Sequence, residues 1–250
     1  MEIVNIARKR TVKRSNHKLL PKSIRGLIVG ESGCGKTVLL FNLLFQGGWL
    51  DYDKLYVFSK SLFQPEYVFI KRCFEKNLSK DEIWSMLNSE HDFEELEKVL
   101  DGVDEREDNG FDLEMYADEE DVPAPDVLDK DRNNLMIFDD LCGERQSRCE
   151  QYYTHGRHSN VDVFYLSQNY FKLPRQTIRA NSNLMILFPL DERDMNHIHS
   201  AHGAGVSRED FKIVSTESWK DERSFMVIDK SRPVNDGRLR KRFTTFACVI

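Results

Sequence analysis

An eight-residue stretch near the N-terminus constrains this chain more than any other part of it. Residues 30–37 read GESGCGKT, which matches the pattern G-x-x-x-x-G-K-[ST], and they lie between a short apolar run and the helically spaced segment KTVLLFNLLF. In such a loop the glycines let backbone N–H groups surround phosphate oxygens, and the start of the helix adds partial positive charge. The motif therefore predicts a site for a nucleoside triphosphate such as ATP. Its predicted binding residues are Gly30, Glu31, Ser32, Gly33, Cys34, Gly35, Lys36 and Thr37.

Two residues of this loop have predicted roles of their own. A lysine at the position of Lys36 reaches the β- and γ-phosphates, and a hydroxyl at the position of Thr37 completes the ligand shell of Mg²⁺. We therefore expect Lys36 to act in catalysis and Thr37 to be a metal ligand.

Polar residues follow two further apolar runs. Residues 135–138 are apolar and lead into Asp139 and Asp140, and the run 161–167 leads into Gln168. A carboxylate at a strand end supports Mg²⁺ through water, which is the predicted role of Asp139. Asp140 is predicted to orient and polarise the attacking water, and the uncharged amide of Gln168 to sense the γ-phosphate. This set favours hydrolysis over phosphate transfer to another acceptor.

The order of apolar runs and helical patterns predicts the fold class. Strands are expected at 26–29, 54–59, 135–138, 161–167, 184–188 and 224–229, and helices at 65–76, 79–88, 93–100 and 191–202. Strands that are apolar throughout and alternate with helices are typical of a mostly parallel sheet with helices on both faces. We expect an α/β fold whose ligands bind at the carboxyl ends of the strands.

Charge is distributed unevenly along the 250 residues. Residues 90–131 hold nineteen acidic and three basic residues, about −16, whereas the whole chain has a net charge of −6, so the remainder carries about +10. Basic residues are concentrated in 1–26 and 230–242, which favours a polyanionic partner, although solvated charge runs remain an alternative.

We expect a basic arm over 1–20 and an ATPase domain over 21–246, with an acidic flexible insertion at about 90–131. The candidate phosphate contacts of the arm are Arg8, Lys9, Arg10, Lys13 and Arg14; a localisation signal or a docking tail is an equal alternative.

Composition excludes several classes of protein. The five cysteines have no regular spacing, so we expect a reduced, intracellular setting without a disulfide framework. No apolar run approaches the ~20 residues of a membrane helix, and the first residues lack the apolar stretch of a signal peptide. His197, His199 and His202 do not have the spacing of a helical zinc site, so a polar helix face is the preferred interpretation.

Taken together, GESGCGKT, LMIFDD and GRHSNVDVFYLSQNYF followed by IRANSNLMILF resemble the FtsK–HerA superfamily of P-loop ATPases. Within it, the chain is similar to the poxvirus-type genome-packaging ATPases of large DNA viruses, virophages and Maverick/Polinton elements. The resemblance spans roughly residues 24–199 outside the acidic stretch. It implies a RecA-like core of the ASCE type, with the sensor strand between the P-loop strand and the strand that ends in two acids.

The resemblance also implies an activity and partners. It implies an ATP-hydrolysing translocase that drives double-stranded DNA into a preformed capsid as a homo-oligomeric ring, with a capsid or portal protein as partner and no membrane. Asp140 departs from the glutamate that is frequent in the superfamily, and its side chain is shorter. Ring motors complete each site with an arginine of the neighbouring subunit, for which Arg157 is the first candidate, followed by Arg179 and Arg148.

We interpret the chain as such a packaging motor, located inside the host cell at a viral assembly site in the cytoplasm or nucleus, or with the virion. Two alternatives stay open on the residues alone. A P-loop kinase for a nucleoside or nucleotide would need an acceptor pocket and an arginine-rich lid. A non-catalytic nucleotide-binding scaffold would not need all of Lys36, Thr37, Asp139 and Asp140.

Overall fold

Nine strands form one sheet in the computed structural model of this chain, which describes residues 14–104, 106–141, 143–203 and 205–247. The strands are β1 (Arg25–Val29), β2 (Lys54–Ser59), β3 (Asp112–Tyr116), β4 (Asn134–Asp139), β5 (Val161–Ser167), β6 (Leu184–Leu187), β7 (Met226–Asp229), β8 (Leu239–Lys241) and β9 (Thr245–Phe246). The helices are α1 (Lys36–Phe45), α2 (Pro65–Glu75), α3 (Lys80–Leu87), α4 (Phe93–Asp101), α5 (Ser147–His155), α6 (Glu192–His202) and α7 (Arg208–Ser218).

The sheet is mostly parallel, as the alternation of strands and helices predicts. Its strand order is β3-β2-β4-β5-β1-β6-β7-β8-β9, with parallel pairing from β3 to β6 and antiparallel pairing from β6 to β9. The sensor strand β5 lies between β1 and β4, which confirms the order that the resemblance implies. All residues of β4 and β5 are buried, because helices cover both faces of the sheet.

Two apolar clusters, one on each face, hold the helices to the sheet. Successive residues of β4 point to opposite faces, so Ile137 packs in one cluster with α1 to α4 and Phe138 in the other with α5 to α7. A capping box begins α3, since the side chains of Ser79 and Glu82 each accept the backbone N–H of the other residue.

The acidic stretch contains more ordered structure than its charge suggests. Within the described part of the stretch expected to be a flexible insertion, α4 buries Leu96 and Leu100, and β3 pairs in parallel with β2 at the edge of the sheet. Its flexibility stays a prediction. Two basic side chains, Lys54 on β2 and Arg132 just before β4, offset part of the charge, since Lys54 pairs with Glu114 and Arg132 pairs with Asp112. The strand DLEMY is half-buried throughout and has no continuous apolar run, so the sequence pattern did not reveal it.

The last residues predicted for the basic arm belong to the folded body. Arg14 donates to Oδ1 of Asp162 at 2.6 Å and to the carbonyl oxygens of Asn134 and Asn160, so it is a structural residue and not a free phosphate contact. Asn16 donates to the other oxygen of Asp162 at 2.7 Å. Arg8, Lys9, Arg10 and Lys13 lie outside the described residues.

Part of the second basic cluster is structural as well. Arg240 is fully buried, and it donates to Asp229 at 3.2 Å and to the carbonyl oxygen of Leu19 at 2.8 Å. Arg232 pairs with the same carboxylate at 3.2 Å. These arginines join the C-terminal strands to the N-terminal segment, which limits their use for an external polyanion.

The helices that the structure describes include none that combines the length and apolar character needed to cross a membrane.

The ion pair between Arg14 and Asp162 leads to a prediction about stability. Their side chains are 6% and 3% exposed, so Arg14→Ala leaves a buried carboxylate without its charge partner and is expected to cost about 3–5 kcal/mol of unfolding free energy. The matched control is Lys71→Ala, which breaks an exposed pair with Glu75 and is expected to cost less than about 1 kcal/mol. Urea unfolding measures both. Equal costs for the two variants would contradict the structural role of Arg14.

Candidate functional site

The phosphate-binding loop connects β1 to α1 at the carboxyl edge of the parallel strands. Gly33 and Gly35 have φ of 75° and 106°, a left-handed conformation that residues with a Cβ rarely adopt. Gly30 is needed for space, since a Cβ there would lie 2.6 Å from Cβ of Phe188. The N–H of Gly30 donates to the carbonyl oxygen of Ser167 at 3.1 Å, so the start of the loop is tied to the end of β5.

The lysine of the motif is folded back on its own loop. Nζ of Lys36 donates to the carbonyl oxygens of Gly30 and Glu31, both at 2.7 Å. These contacts hold the ammonium group at the loop, and Lys36 and Thr37 line the same cavity. Cys34 lies against this lysine, and burial raises the pKa of its thiol, so the thiol is the protonated, poorly reactive form.

Asp139 ends β4 as a buried carboxylate with one oxygen already bonded. The hydroxyl of Tyr67, on α2, donates to Oδ2 of Asp139 at 2.5 Å. Burial raises the pKa of Asp139 above its ordinary value, an effect that the Tyr67 hydrogen bond opposes. The phenol therefore favours the ionised carboxylate and fixes its orientation, which leaves Oδ1 for a metal or its water.

Asp140 follows in a left-handed conformation, with φ of 54°. The hydroxyl of Ser61, after β2, donates to Oδ2 of Asp140. The turn of the backbone separates the two adjacent carboxylates, so that Asp139 is buried while Asp140 is exposed at the edge of the sheet.

These residues line one cavity of about 280 Å³ at the carboxyl edge of the sheet. It brings together the predicted catalytic and metal-binding side chains except Arg157, namely Lys36, Thr37, Asp139, Asp140 and Gln168. Ser32, Gly33 and Gly35 line it as well, whereas Glu31 and Gly30 contribute the carbonyls that hold Lys36, and Cys34 packs behind the loop. A lysine, a hydroxyl and carboxylate oxygens are the groups that bind a triphosphate with Mg²⁺, so the residues present fit both.

Sequence reasoning missed four residues of this site. Gln64 and Glu66, at the start of α2, line the cavity, while Tyr67 and Ser61 hold the two aspartates. The helix itself was predicted, and Pro65 is its first residue. No local pattern links this helix to the acids of β4, because the contact depends on β2 and β4 being neighbours in the sheet.

The arginine candidates for a neighbouring site lie in different places. Arg157 belongs to the 3₁₀ turn Gly156–Ser159 before β5, and its side chain is outside what the structure describes. Arg148 hydrogen-bonds Gln151 on its own helix at 2.8 Å, and Arg179 lies over the ring of Tyr170, 5.1 Å from its centroid. Their assignment to a site in trans stays a prediction.

The three histidines of α6 have separate contacts. His197 packs on the ring of Phe171, Nε2 of His199 lies 2.9 Å from the carbonyl oxygen of Val206, and Nε2 of His202 lies 2.7 Å from the hydroxyl of Tyr170.

Comparison with known proteins adds a family to this geometry. The sequence model of the family "Poxvirus A32 protein" matches residues 11–238, whereas the comparison with curated proteins gives no match. Among solved structures, the chain is similar to B204, the DNA-packaging ATPase from Sulfolobus turreted icosahedral virus, with a TM-score of 0.50, 14% identity and coverage of 82% of this chain and 92% of that one.

Two further solved structures are similar over most of their length. The genome-packaging NTPase B204 of Sulfolobus turreted icosahedral virus 2 in complex with AMP has a TM-score of 0.49 and 12% identity, covering 84% of this chain and 94% of that one. VirB4 of Thermoanaerobacter pseudethanolicus has a TM-score of 0.44 and 12% identity, with 90% of each chain covered.

The match to B204 supports the RecA-like fold, and the family match covers the P-loop, both acidic residues and the sensor strand. At the level of the family, the prediction of a viral DNA-packaging ATPase is confirmed. The chain belongs to the poxvirus A32 protein family.

Proposed function

We propose that this chain hydrolyses ATP and couples hydrolysis to the translocation of double-stranded DNA into a viral or virus-like capsid. The observation that carries the proposal is the single cavity in which Lys36, Thr37, both aspartates and Gln168 meet. A kinase would require a second pocket for an acceptor at the same edge, whereas the two carboxylates beside Lys36 suit water as the acceptor.

The side chains divide the work of hydrolysis among them. Lys36 binds the β- and γ-phosphates when it leaves the carbonyl oxygens of its loop. Mg²⁺, held by the Thr37 hydroxyl and Asp139, would neutralise charge that develops on the phosphate oxygens. Asp140 orients the attacking water or accepts a proton from it. The Gln168 amide, which lines the same cavity, senses the γ-phosphate.

The surroundings of the two acids support different roles for them. Asp139 is buried and bonded to Tyr67, which suits a fixed metal-supporting carboxylate. Asp140 is exposed in the cavity and bonded to the smaller Ser61, which leaves one oxygen open towards water. The trans-acting arginine, the homo-oligomeric ring and a capsid or portal partner belong to the same proposal, supported by the family match.

We expect ATP hydrolysis that duplex DNA stimulates. Phosphate release is measured against protein concentration, with and without duplex, for wild type and for Lys36→Ala. The rate of phosphate release per subunit should rise with protein concentration, because neighbouring subunits complete each site. Lys36→Ala should abolish phosphate release. Phosphate transfer to a nucleoside or nucleotide without net release would instead favour the kinase alternative.

Asp140→Asn should separate binding from chemistry. Loss of a general base costs typically 10²- to 10⁴-fold in rate, so we expect kcat to fall by at least about 100-fold. The KM for ATP should change little, since the amide keeps the shape of the side chain. The control is Asp118→Asn, an exposed acid that pairs with Lys60. Wild-type turnover of Asp140→Asn would support the non-catalytic scaffold.

Tyr67→Phe should lower the affinity for nucleotide more in the presence of Mg²⁺ than in its absence. Residues that orient a metal ligand contribute about 10- to 100-fold to metal affinity, so the affinity for a fluorescent ATP analogue should fall by that factor with Mg²⁺ and little without it. Tyr152→Phe, which removes a buried hydrogen bond to the carbonyl oxygen of Pro123, is the matched control. An equal loss with and without Mg²⁺ would show that Tyr67 supports only the local packing.

A further inference from the structure

A second cavity, which we call the basic cavity, lies beside the segment that follows Gln168. Its volume is about 530 Å³, within the usual range for a site that holds a nucleotide-sized ligand. It lies between the segment that follows β5, the π-helical turn Arg175–Arg179, α6 and the end of β7. Its lining residues are Tyr170, Phe171, Arg175, Arg179, Ala180, His197, Ser200, Ala201, His202 and Lys230.

Positive charge in this cavity is not balanced by acidic side chains. Arg175, Arg179 and Lys230 line it, and no aspartate or glutamate among the described residues does so. Burial lowers the pKa of Lys230, and Arg25 and Arg238 lower it further. Burial, then Lys230 and Arg179, lower the pKa of His202 to about 4. Because half-buried like charges repel each other, an anion in the cavity would offset a cost that the protein alone carries.

Hydrogen-bonding groups around the cavity are left open. His202 is 4% exposed, and its Nε2 bonds the Tyr170 hydroxyl at 2.7 Å, but its Nδ1 has no partner among the described residues. Nε of Arg179 is likewise buried without a described partner. An unpaired buried donor is costly, and an oxyanion accepts several hydrogen bonds at once.

Aromatic rings hold the guanidinium groups in place. The Arg179 guanidinium lies 5.1 Å from the ring centroid of Tyr170 and 5.8 Å from that of Phe171. The Arg193 guanidinium lies 4.6 Å from the centroid of Phe171, which lines the same cavity. Stacked guanidinium groups are pre-organised for phosphate, because less side-chain freedom is lost on binding.

An acid of α6, Asp194, bonds the backbone of two residues that line the cavity. Both carboxylate oxygens of Asp194 accept backbone N–H groups, from Tyr170 at 2.9 Å and from Phe171 at 3.2 Å. This clamp fixes α6 to a segment that begins two residues after Gln168. A ligand that contacts Tyr170 and Arg179 would therefore lie against a segment that begins two residues after Gln168, the residue predicted to sense the γ-phosphate.

We propose that the basic cavity binds a phosphate group, either of the DNA backbone or of a free nucleotide, through Arg175, Arg179 and Lys230. Phosphate binding itself does not depend on the proposed function, whereas its assignment to DNA rests on that function. Bound there, the phosphate lies against Tyr170 and Phe171, in the segment that follows Gln168.

The first arm of the test uses duplex DNA without nucleotide. Fluorescence anisotropy gives the affinity of a short labelled duplex between about 50 and 200 mM salt for wild type, Arg175→Gln and Arg179→Gln. Each variant should bind roughly tenfold more weakly, and the slope of log K against log salt should fall by about one. Lys71→Gln removes one exposed charge on α2 and should change neither quantity.

The second arm uses deoxyadenosine monophosphate as a free nucleotide. In a Lys36→Ala background, which disables the P-loop, the ligand should raise the melting temperature, and adding Arg179→Gln should abolish that rise. Arg175 is exposed, so Arg175→Gln repeats the test where Arg179→Gln fails to fold.

The outcomes separate the two sources of phosphate. Weaker duplex binding with no effect of the monophosphate assigns the cavity to DNA, and the reverse result assigns it to a free nucleotide. If Arg175→Gln and Arg179→Gln bind duplex as Lys71→Gln does, and the monophosphate does not raise the melting temperature, the cavity does not bind phosphate. If wild type binds no duplex at all, the proposed translocase loses its substrate, while the monophosphate arm still decides the cavity.

Discussion

The parallel pairing of β1, β5 and β4 is the constraint on which the rest of this structure depends. Val29 pairs with Ser167, and Asp139 pairs with Leu166, so the three strands end at the same level. A glycine-rich loop, an amide and two carboxylates follow these ends in turn, and the hydrogen bond from Gly30 to Ser167 joins two of the segments directly. The chemistry of the cavity is therefore a product of strand register.

Sequence patterns predicted this arrangement because each part carries a local signal. The P-loop glycines, the apolar run before Asp139 and the run before Gln168 are readable without knowledge of the fold, and buried parallel strands are apolar throughout. The edge strand β3 lacks that signal, since its residues are half-buried and charged. Tyr67 and Ser61 were missed for another reason: their partners lie 72 and 79 residues away along the chain.

Charge was the least reliable guide to function. The concentration of basic residues near both ends suggested polyanion contacts, but Arg14 and Arg240 are buried beside Asp162 and Asp229 and serve the fold. Much of the acidic stretch is likewise part of the sheet edge and its flanking helix. The basic groups that do remain without acidic balance came from residues scattered along the chain, Arg175, Arg179 and Lys230, which only the fold brings together.

The left-handed backbone at Asp140 determines how readily a glutamate can replace the aspartate at this position. Aspartate and asparagine tolerate a φ of 54° better than residues with longer side chains, because a short polar group bonds locally in that conformation. A glutamate would gain reach towards the γ-phosphate, but it would lose the bond to Ser61 or strain the turn that keeps it apart from Asp139. In this chain the length of the acidic side chain and the shape of the turn are therefore coupled, so neither can be exchanged alone.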